Sequence, residues 1–289
     1  MNVLEAVEHC SSVLETKKVE SPRLSAEILV AHATSLTRSQ VLSSANRPMT
    51  NSEDSKLQAI LQRRSHHEPI PYIIGEVEFY SIQFSISNGV FIPRPETETL
   101  VDATLAIAKT LGDTPKIYDL CTGSGNVLIS LAMNMEYGEF WGTDVSNMAI
   151  QVASINVRRY ELQNYVELRE GPIFNPMRSA LSTGFDILVS NPPYIKSNDI
   201  AKLSPQIKDH EPVIALDGGR EGLTFIRSLL DGAGPILKPG GYILLEADPD
   251  QMMPIRTEVR RRRFEDFVVH NDASGNERVC QFRVPGGRK

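Results

Sequence analysis

Cysteine is scarce and scattered. The three present, Cys10, Cys121 and Cys280, are odd in number and far apart, which argues against a disulfide framework or a zinc site and fits a reducing cytoplasm. Long apolar runs are missing too: none approaches the ~20 residues needed to span a bilayer. Met1-Asn2-Val3-Leu4-Glu5 has no basic stretch leading into an apolar segment, as a secretory signal would. Nor is there an excess of positive charge. With 30 Lys and Arg against 36 Asp and Glu, the net charge is −6. That disfavours a protein held on nucleic acid mainly through phosphates and suits a positively charged protein partner. There is no internal repeat and no low-complexity tract. What is present, 41% hydrophobic and 23% charged residues over 289 positions, is ordinary for a globular protein and long enough for one large domain or two.

Residues 1–68 read as helical. Val3, Leu4, Val7, Val13 and Leu14 form one apolar face. Ser21-Pro22 has the form of a capped helix start, with Leu24, Ile28 and Ala31 following at helical spacing. Thr50-x-x-Glu53 has capping-box form and leads into Leu57, Ile60 and Leu61. The run Arg63-Arg64-Ser65-His66-His67-Glu68 reads as a solvated helix end; adjacent histidines point apart on a helix and make a poor metal pair. A small bundle with no catalytic constellation reads as a docking module. Residues 69–95 read as a linker: Pro69-Ile70-Pro71-Tyr72 breaks structure, and two alternating segments at 76–80 and 82–86 form a hairpin before an Asn88-Gly89 turn. Pro93-Arg94-Pro95 postpones the next helix until about Glu96.

From residue 115 strands and helices alternate to the end of a third region, 96–289, the pattern of a doubly wound, mostly parallel α/β sheet. Strands are expected at 116–120, 139–144, 166–168, 185–190 and 242–246, with a late antiparallel hairpin at 267–269 and 278–282. Helices are expected at 127–135, 147–160 and 221–237, with Lys238-Pro239-Gly240-Gly241 as a turn.

Two loops carry the chemistry. Asp119-Leu120-Cys121-Thr122-Gly123-Ser124-Gly125 joins a strand to a helix through small residues that let a ligand approach the backbone. It lacks the Gly-Lys-Ser/Thr ending of a triphosphate loop. Asp144 ends the next strand about 20 residues on, where an acid commonly takes ribose hydroxyls; the alternative is an N-cap for the following helix. The pair points to an adenosine-containing cofactor, with NAD open on this evidence. The second loop is Asn191-Pro192-Pro193-Tyr194, placed straight after Phe185-Asp186-Ile187-Leu188-Val189-Ser190. Two prolines stop the strand and leave an amide, two carbonyls and an aromatic ring at its carboxyl end. The Asn191 side-chain oxygen and the Pro192 carbonyl can each accept an N–H of a planar NH2 group, while Tyr194 walls it by stacking. A methyl transfer to an amide or exocyclic amine needs such a pocket; a hydride transfer does not.

Taken together with Phe91-Ile92-Pro93-Arg94-Pro95-Glu96-Thr97-Glu98, His210-Glu211-Pro212, Ala215-Leu216, Gly218-Gly219, Gly222-Leu223 and Asn276-Glu277-Arg278-Val279, these loops make the chain resemble, over nearly its whole length, the HemK-type protein-(glutamine-N5) methyltransferases. The resemblance implies a Rossmann-like methyltransferase sheet of seven strands, S-adenosylmethionine as cofactor, and a class I release factor as partner, methylated on the glutamine of its Gly-Gly-Gln motif. It implies a cofactor site at Asp119, Cys121, Thr122, Gly123, Ser124, Gly125, Asp144, Ile173 and Asn191. It places Asn191, Pro192 and Tyr194 at the reaction, and Phe91 and Pro193 with them around the acceptor. No metal and no direct nucleic-acid binding are expected, and a monomer is. Three departures stand out: Cys121 where glycine is usual, Gly171-Pro172-Ile173-Phe174 in place of a glycine-acid-aromatic stretch, and Glu246-Ala247-Asp248 in place of glutamate-x-glycine, which leaves Glu246 without a role. A ribosomal-protein glutamine enzyme and an amino-directed DNA or RNA methyltransferase are the rival readings, and a non-catalytic cofactor-binding docking protein is a third.

Overall fold

The computed structural model describes residues 1–112, 114–174 and 184–286. The chain divides into two compact units, Met1–Gly75 with Ser204–His210, and Glu76–Leu203 with Glu211–Lys289. No helix among the described residues is long and apolar enough to cross a membrane.

The first unit holds α1 (Val3–Thr16), α2 (Pro22–Thr34), α3 (Arg38–Ser43), α4 (Asn51–Ser65) and α5 (Ile70–Ile74). Its core is Val7, Cys10, Leu14, Leu29, Val30, Leu57 and Leu61 with their neighbours. The expected capping box at Thr50 and Glu53 is formed in both directions, at 3.2 Å and 2.8 Å. Ser21 is different: it sits in the left-handed region at φ 47°, makes no side-chain cap, and leaves the start of α2 to Pro22. Two elements were not expected. One is α3, which Thr37 and Gln40 cap reciprocally. The other is α5, where Pro71 lies in the first turn and so helps start a helix rather than break one.

The second unit opens with the hairpin β1 (Glu76–Phe79) and β2 (Ile82–Ser85). Tyr80 and Ser81 both have positive φ, 52° and 58°, the geometry that matches the twist of a two-residue hairpin. Phe79 and Phe84 are buried with Leu100, Val101, Leu128 and Val189 in one core layer. A short 3-10 turn at Pro95–Thr97 then leads into α6 (Glu98–Ala108).

The main sheet contains β3 (Lys116–Leu120), β4 (Glu139–Asp144), β5 (Val166–Glu170), β6 (Phe185–Ser190), β7 (Leu237–Glu246), β8 (Glu265–Asn271) and β9 (Glu277–Arg283) in the order β5-β4-β3-β6-β7-β9-β8. The first five run parallel, and β9 and β8 are antiparallel additions. Side chains alternate between two core layers, as a pleated strand requires: Ile117, Ile187, Val189 and Leu244 face one, and Tyr118, Leu188, Ile243 and Leu245 the other. Around the sheet lie α7 (Asn126–Asn134), α8 (Asn147–Arg159), the short α9 (Ser197–Ile200), α11 (Thr224–Ala233) and α12 (Met252–Arg261), while α10 (Pro205–Lys208) belongs to the first unit. The expected turn at Lys238–Gly241 lies inside β7, where the register against β6 shifts between Phe185 and Ile187; Gly240, at φ 79°, absorbs the irregularity. The helix expected from Glu221 begins only at Thr224.

Strand order reverses between β3 and β6. In an open α/β sheet such a switch point leaves a crevice at the carboxyl ends of the strands. Both chemical loops leave the sheet there.

Candidate active site

A cavity of about 490 Å³ opens over the carboxyl ends of β3, β4 and β6, within the 300–1,000 Å³ typical of small-molecule sites. Phe91, Asp119, Cys121, Thr122, Gly123, Asp144, Ile173, Asn191, Pro192, Pro193 and Tyr194 all line it. Ser124 and Gly125 do not. Ser124 is fully buried, and its hydroxyl turns to Asn126 at 3.3 Å. Gly125 is the N-cap of α7 at φ 79°. A Cβ there would meet Ile129 at 3.1 Å and Ala153 at 3.3 Å, so this glycine serves the packing of the helix.

The wall made by β3 and β4 is acidic and buried. Asp119 is 1% exposed; its Oδ2 accepts the Thr122 hydroxyl at 2.7 Å. Burial nevertheless pushes its carboxyl up to about 7, because desolvation penalises the charged form more than its hydrogen bonds repay. Asp144 accepts the Gly123 amide at 3.0 Å and the Ser146 amide at 2.9 Å. Burial raises its carboxyl as well. Asp144 is not the cap of α8: Ser146 is, through the Ala149 amide at 3.3 Å. The acid at the end of β4 therefore belongs to the cavity. Cys121 adopts φ 65°, a left-handed position where glycine is the unstrained residue, and burial raises its thiol, so it is not a reactive thiolate. Ile173 also has positive φ, 41°, and its carbonyl is taken by the Tyr118 hydroxyl at 3.0 Å. One of the two acceptor positions of that carbonyl is thus taken.

The opposite wall is Asn191 to Tyr194. The Asn191 Nδ2 donates to the Thr97 hydroxyl at 3.1 Å. This leaves Oδ1 as the atom free to accept from a ligand. Tyr194 donates its hydroxyl to Glu246 Oε1 at 3.0 Å, and Gln251 Nε2 holds the Tyr194 carbonyl at 2.8 Å. The backbone here is embraced by the segment Leu216–Gly222. Ile195 donates to the Leu216 carbonyl at 2.9 Å, and Gly218 donates to the Ile195 carbonyl at 2.8 Å. A Cβ on Gly218 would stand 2.7 Å from the Tyr194 Cα and 2.8 Å from the Pro193 carbonyl. Only glycine allows that approach, which explains the glycine pair at 218–219.

Phe91 is held at the rim. Arg94 lies over its ring at 4.8 Å and pairs with Glu211, whose other oxygen accepts the Ile92 amide at 3.3 Å. Glu211 is thus the buried clamp on the proline-arginine-proline segment. Thr97, Glu211 and Glu246 had no role assigned from sequence. Their signal was present for Thr97 and Glu211, since both lie in stretches that carried the resemblance, but the partners are 94 to 119 residues away.

The N-terminal residues 5–75 match the model of the PrmC N-terminal domain, and residues 112–265 match a methyltransferase domain model. A release factor glutamine methyltransferase from Koribacter versatilis is 35% identical over 292 aligned positions, covering 99% of each chain. The enzyme of that name from Clostridium acetobutylicum is 33% identical and covers 99% of this chain and 100% of its own. Among solved structures, the hMettl16 catalytic domain bound to an RNA hairpin aligns with a TM-score of 0.55 at 14% identity, over 86% of this chain and 88% of its own. At that identity the likeness speaks for the fold alone. By sequence along its whole length, this chain belongs to the release factor glutamine methyltransferase family.

Proposed function

We propose that the chain transfers a methyl group from S-adenosylmethionine to the side-chain amide nitrogen N5 of the glutamine in the Gly-Gly-Gln motif of class I release factors. When bound, the cofactor supplies an electrophilic methyl group on a sulfonium. The residues fit it. Asp119 is a buried acid lining the cavity, suited to an ammonium group. Asp144 lies where ribose hydroxyls would reach it, and the Gly123 backbone lines the floor between them. Adenine recognition near Pro172 and Ile173 is left to shape and to backbone groups.

The observation that carries the reading is the Asn191–Thr97 bond at 3.1 Å. An amide nitrogen is a poor nucleophile because its lone pair is delocalised. With Nδ2 occupied, Asn191 Oδ1 accepts one N–H of the incoming amide and the Pro192 carbonyl accepts the other. Both acceptors favour the pyramidal nitrogen with its lone pair turned toward the methyl donor. They also stabilise the positive charge that grows on it. Tyr194 and Phe91 confine the planar group between them. The acceptor is a protein, with the first unit as its docking module; the enzyme acts as a cytoplasmic monomer and does not bind nucleic acid directly.

Incubation of the protein with tritiated S-adenosylmethionine and either unmethylated release factor or unmethylated ribosomes tests this. Label on the Gly-Gly-Gln glutamine is expected. Label only on ribosomal protein, or on nucleic acid, would overturn the assignment. Asn191→Ala should lower kcat on the order of 100-fold or more, the scale of losing a positioned polar group, while cofactor affinity measured by calorimetry changes little.

A further inference from the structure

Gln251 is 3% exposed and ends the 3-10 turn Pro249–Gln251, between β7 and α12. It does not line the cavity, yet its side-chain amide grips the reaction loop. Oε1 accepts the Asp248 amide at 3.2 Å. Nε2 donates to the Tyr194 carbonyl at 2.8 Å and to the Gly222 carbonyl at 3.2 Å, with the Glu221 carbonyl at the edge of reach, 3.5 Å. Carbonyls face one side of the amide and an N–H faces the other, so a single orientation satisfies both sides. Gly222, at φ 71°, makes the approach possible: a Cβ there would stand 2.2 Å from Gln251 Nε2 and 2.2 Å from the Tyr194 carbonyl oxygen. The reaction loop needs such an outside hold. Between Ser190, which ends β6, and Ile195, which bridges to Asp217, Pro192 and Pro193 have no N–H to tie to the surrounding chain. Their rings fix φ but leave the rotation that aims each carbonyl.

We propose that Gln251 is the positioning residue that fixes the Pro192 carbonyl in its direction toward the acceptor NH2 group. Thr97 holds one end of the loop through Asn191 Nδ2 at 3.1 Å, and Gln251 holds the other end through the Tyr194 carbonyl at 2.8 Å. With both ends held and φ set by the proline rings, little rotation is left for the carbonyl between them. The spacing of the two acceptors, Asn191 Oδ1 and the Pro192 oxygen, is therefore set before the acceptor arrives and needs no reorganisation as charge grows on nitrogen. The chemistry explains the residue type. Lysine would donate to the carbonyls but has no oxygen for the Asp248 amide; glutamate has the oxygen but no NH2. The same amide ties the reaction loop to Gly222, and so to the Leu216–Gly222 segment that embraces it.

The inference rests on the methyl-transfer reading, and its test separates the two. In the first arm, wild type and Gln251→Met, which keeps the side-chain length and loses its donors, are compared on release factor. Turnover should fall roughly 10- to 100-fold, the cost of a displaced reacting group, with KM and cofactor Kd within about 3-fold. Gly222→Ala, which pushes the same amide away with Gln251 intact, should show the same split. Asp248→Ala is the control for the turn: it removes the side chain that accepts the Asp250 amide at 3.0 Å but leaves the Gln251 amide in place, and should keep kcat. Wild-type kcat in Gln251→Met or Gly222→Ala would overturn the proposal. So would an equal loss in Asp248→Ala, or parallel losses of kcat and cofactor affinity. The second arm needs no acceptor. The Ile195 amide donates to the Leu216 carbonyl and the Gly218 amide to the Ile195 carbonyl, directly beside the clamp. Their exchange with water, followed by NMR, should be about 10-fold faster in Gln251→Met, the size expected for one lost hydrogen bond. The Thr122 amide, bonded to the Thr143 carbonyl, should be unaffected. Unchanged exchange at Ile195 and Gly218, or an equal rise at Thr122, sinks the proposal even if the release factor proves to be the wrong acceptor; a rise confined to Ile195 and Gly218 sustains it in that same case.

Discussion

At the scale of single residues, the site is set by what burial does to charge. Asp119 is pushed to about 7, so near neutrality the free protein holds a mixture of acid and carboxylate at that position. An ammonium-bearing cofactor selects the carboxylate. Affinity for S-adenosylmethionine is therefore expected to fall as pH drops below 7, by up to about tenfold per pH unit, and to level off above it. Calorimetric titration across this range checks the sign, and Asp119→Asn should bind weakly with the slope removed. A slope that survives in Asp119→Asn would move the titration to another group. Cys121 shows a different use of a residue: its left-handed backbone serves the loop that glycine usually serves, and its thiol packs against the core cluster of Tyr118 and Leu188. Its place in the loop was legible from neighbouring glycines; its strain was not, because φ is decided by where β3 must hand the chain to α7.

At the scale of elements, three strand ends do the positioning. The Thr122 amide donates to the Thr143 carbonyl at 3.0 Å, so the glycine loop is an extension of the β3–β4 ladder before it becomes a helix start. Gly125 is the hinge of that conversion. Gly125→Ala puts a side chain at φ 79° and within 3.3 Å of both Ile129 and Ala153. We expect roughly 2 kcal/mol of destabilisation from the backbone and the crowding together, read as a lower urea midpoint, with α7 displaced toward the cavity and weaker cofactor binding as its functional consequence. The strands themselves were legible from alternation and apolar runs, and so was the abrupt end of β6 at Pro192. The β7 start was not. Pro239-Gly240-Gly241 carries every local mark of a turn, yet Leu237 before it and Tyr242 after it both pair with β6, so it stays within the strand as an irregularity unpaired with β6. Tertiary pairing overrides local propensity there.

At the scale of the whole molecule, the notable fact is that the first unit is not one stretch of chain. Ser204–His210 belongs to it. Gln206 accepts from Arg64 at 3.3 Å and donates to Glu20 at 3.0 Å, and His210 meets the His66 carbonyl at 3.0 Å. Burial lowers the Arg64 guanidinium, so the acceptors around it matter. Gln206→Ala should reduce the stability of this unit by about 1 kcal/mol, the worth of a typical hydrogen bond. Hydrogen exchange resolved by segment would show faster opening of α1 to α4 with β3 to β7 unaffected; an equal change in both would mean the effect is not confined to the first unit.

Sequence by itself determined the class of chemistry. An apolar strand that must stop at two prolines, a glycine loop and an acid ending the next strand are local facts. The reading of them as acceptors for an NH2 group and a floor for an adenosine needs no coordinates. It also determined the family, since the motifs recur along almost the full length. Only the tertiary structure decided which atom of Asn191 faces the cavity and which lining residues touch it at all. It also brought Glu246 within 3.0 Å of Tyr194. The reason is distance along the chain: β6 and β7 are separated by a long excursion and Thr97 precedes both, and only sheet pairing and the Asn191–Thr97 and Tyr194–Glu246 hydrogen bonds bring those three elements to one point.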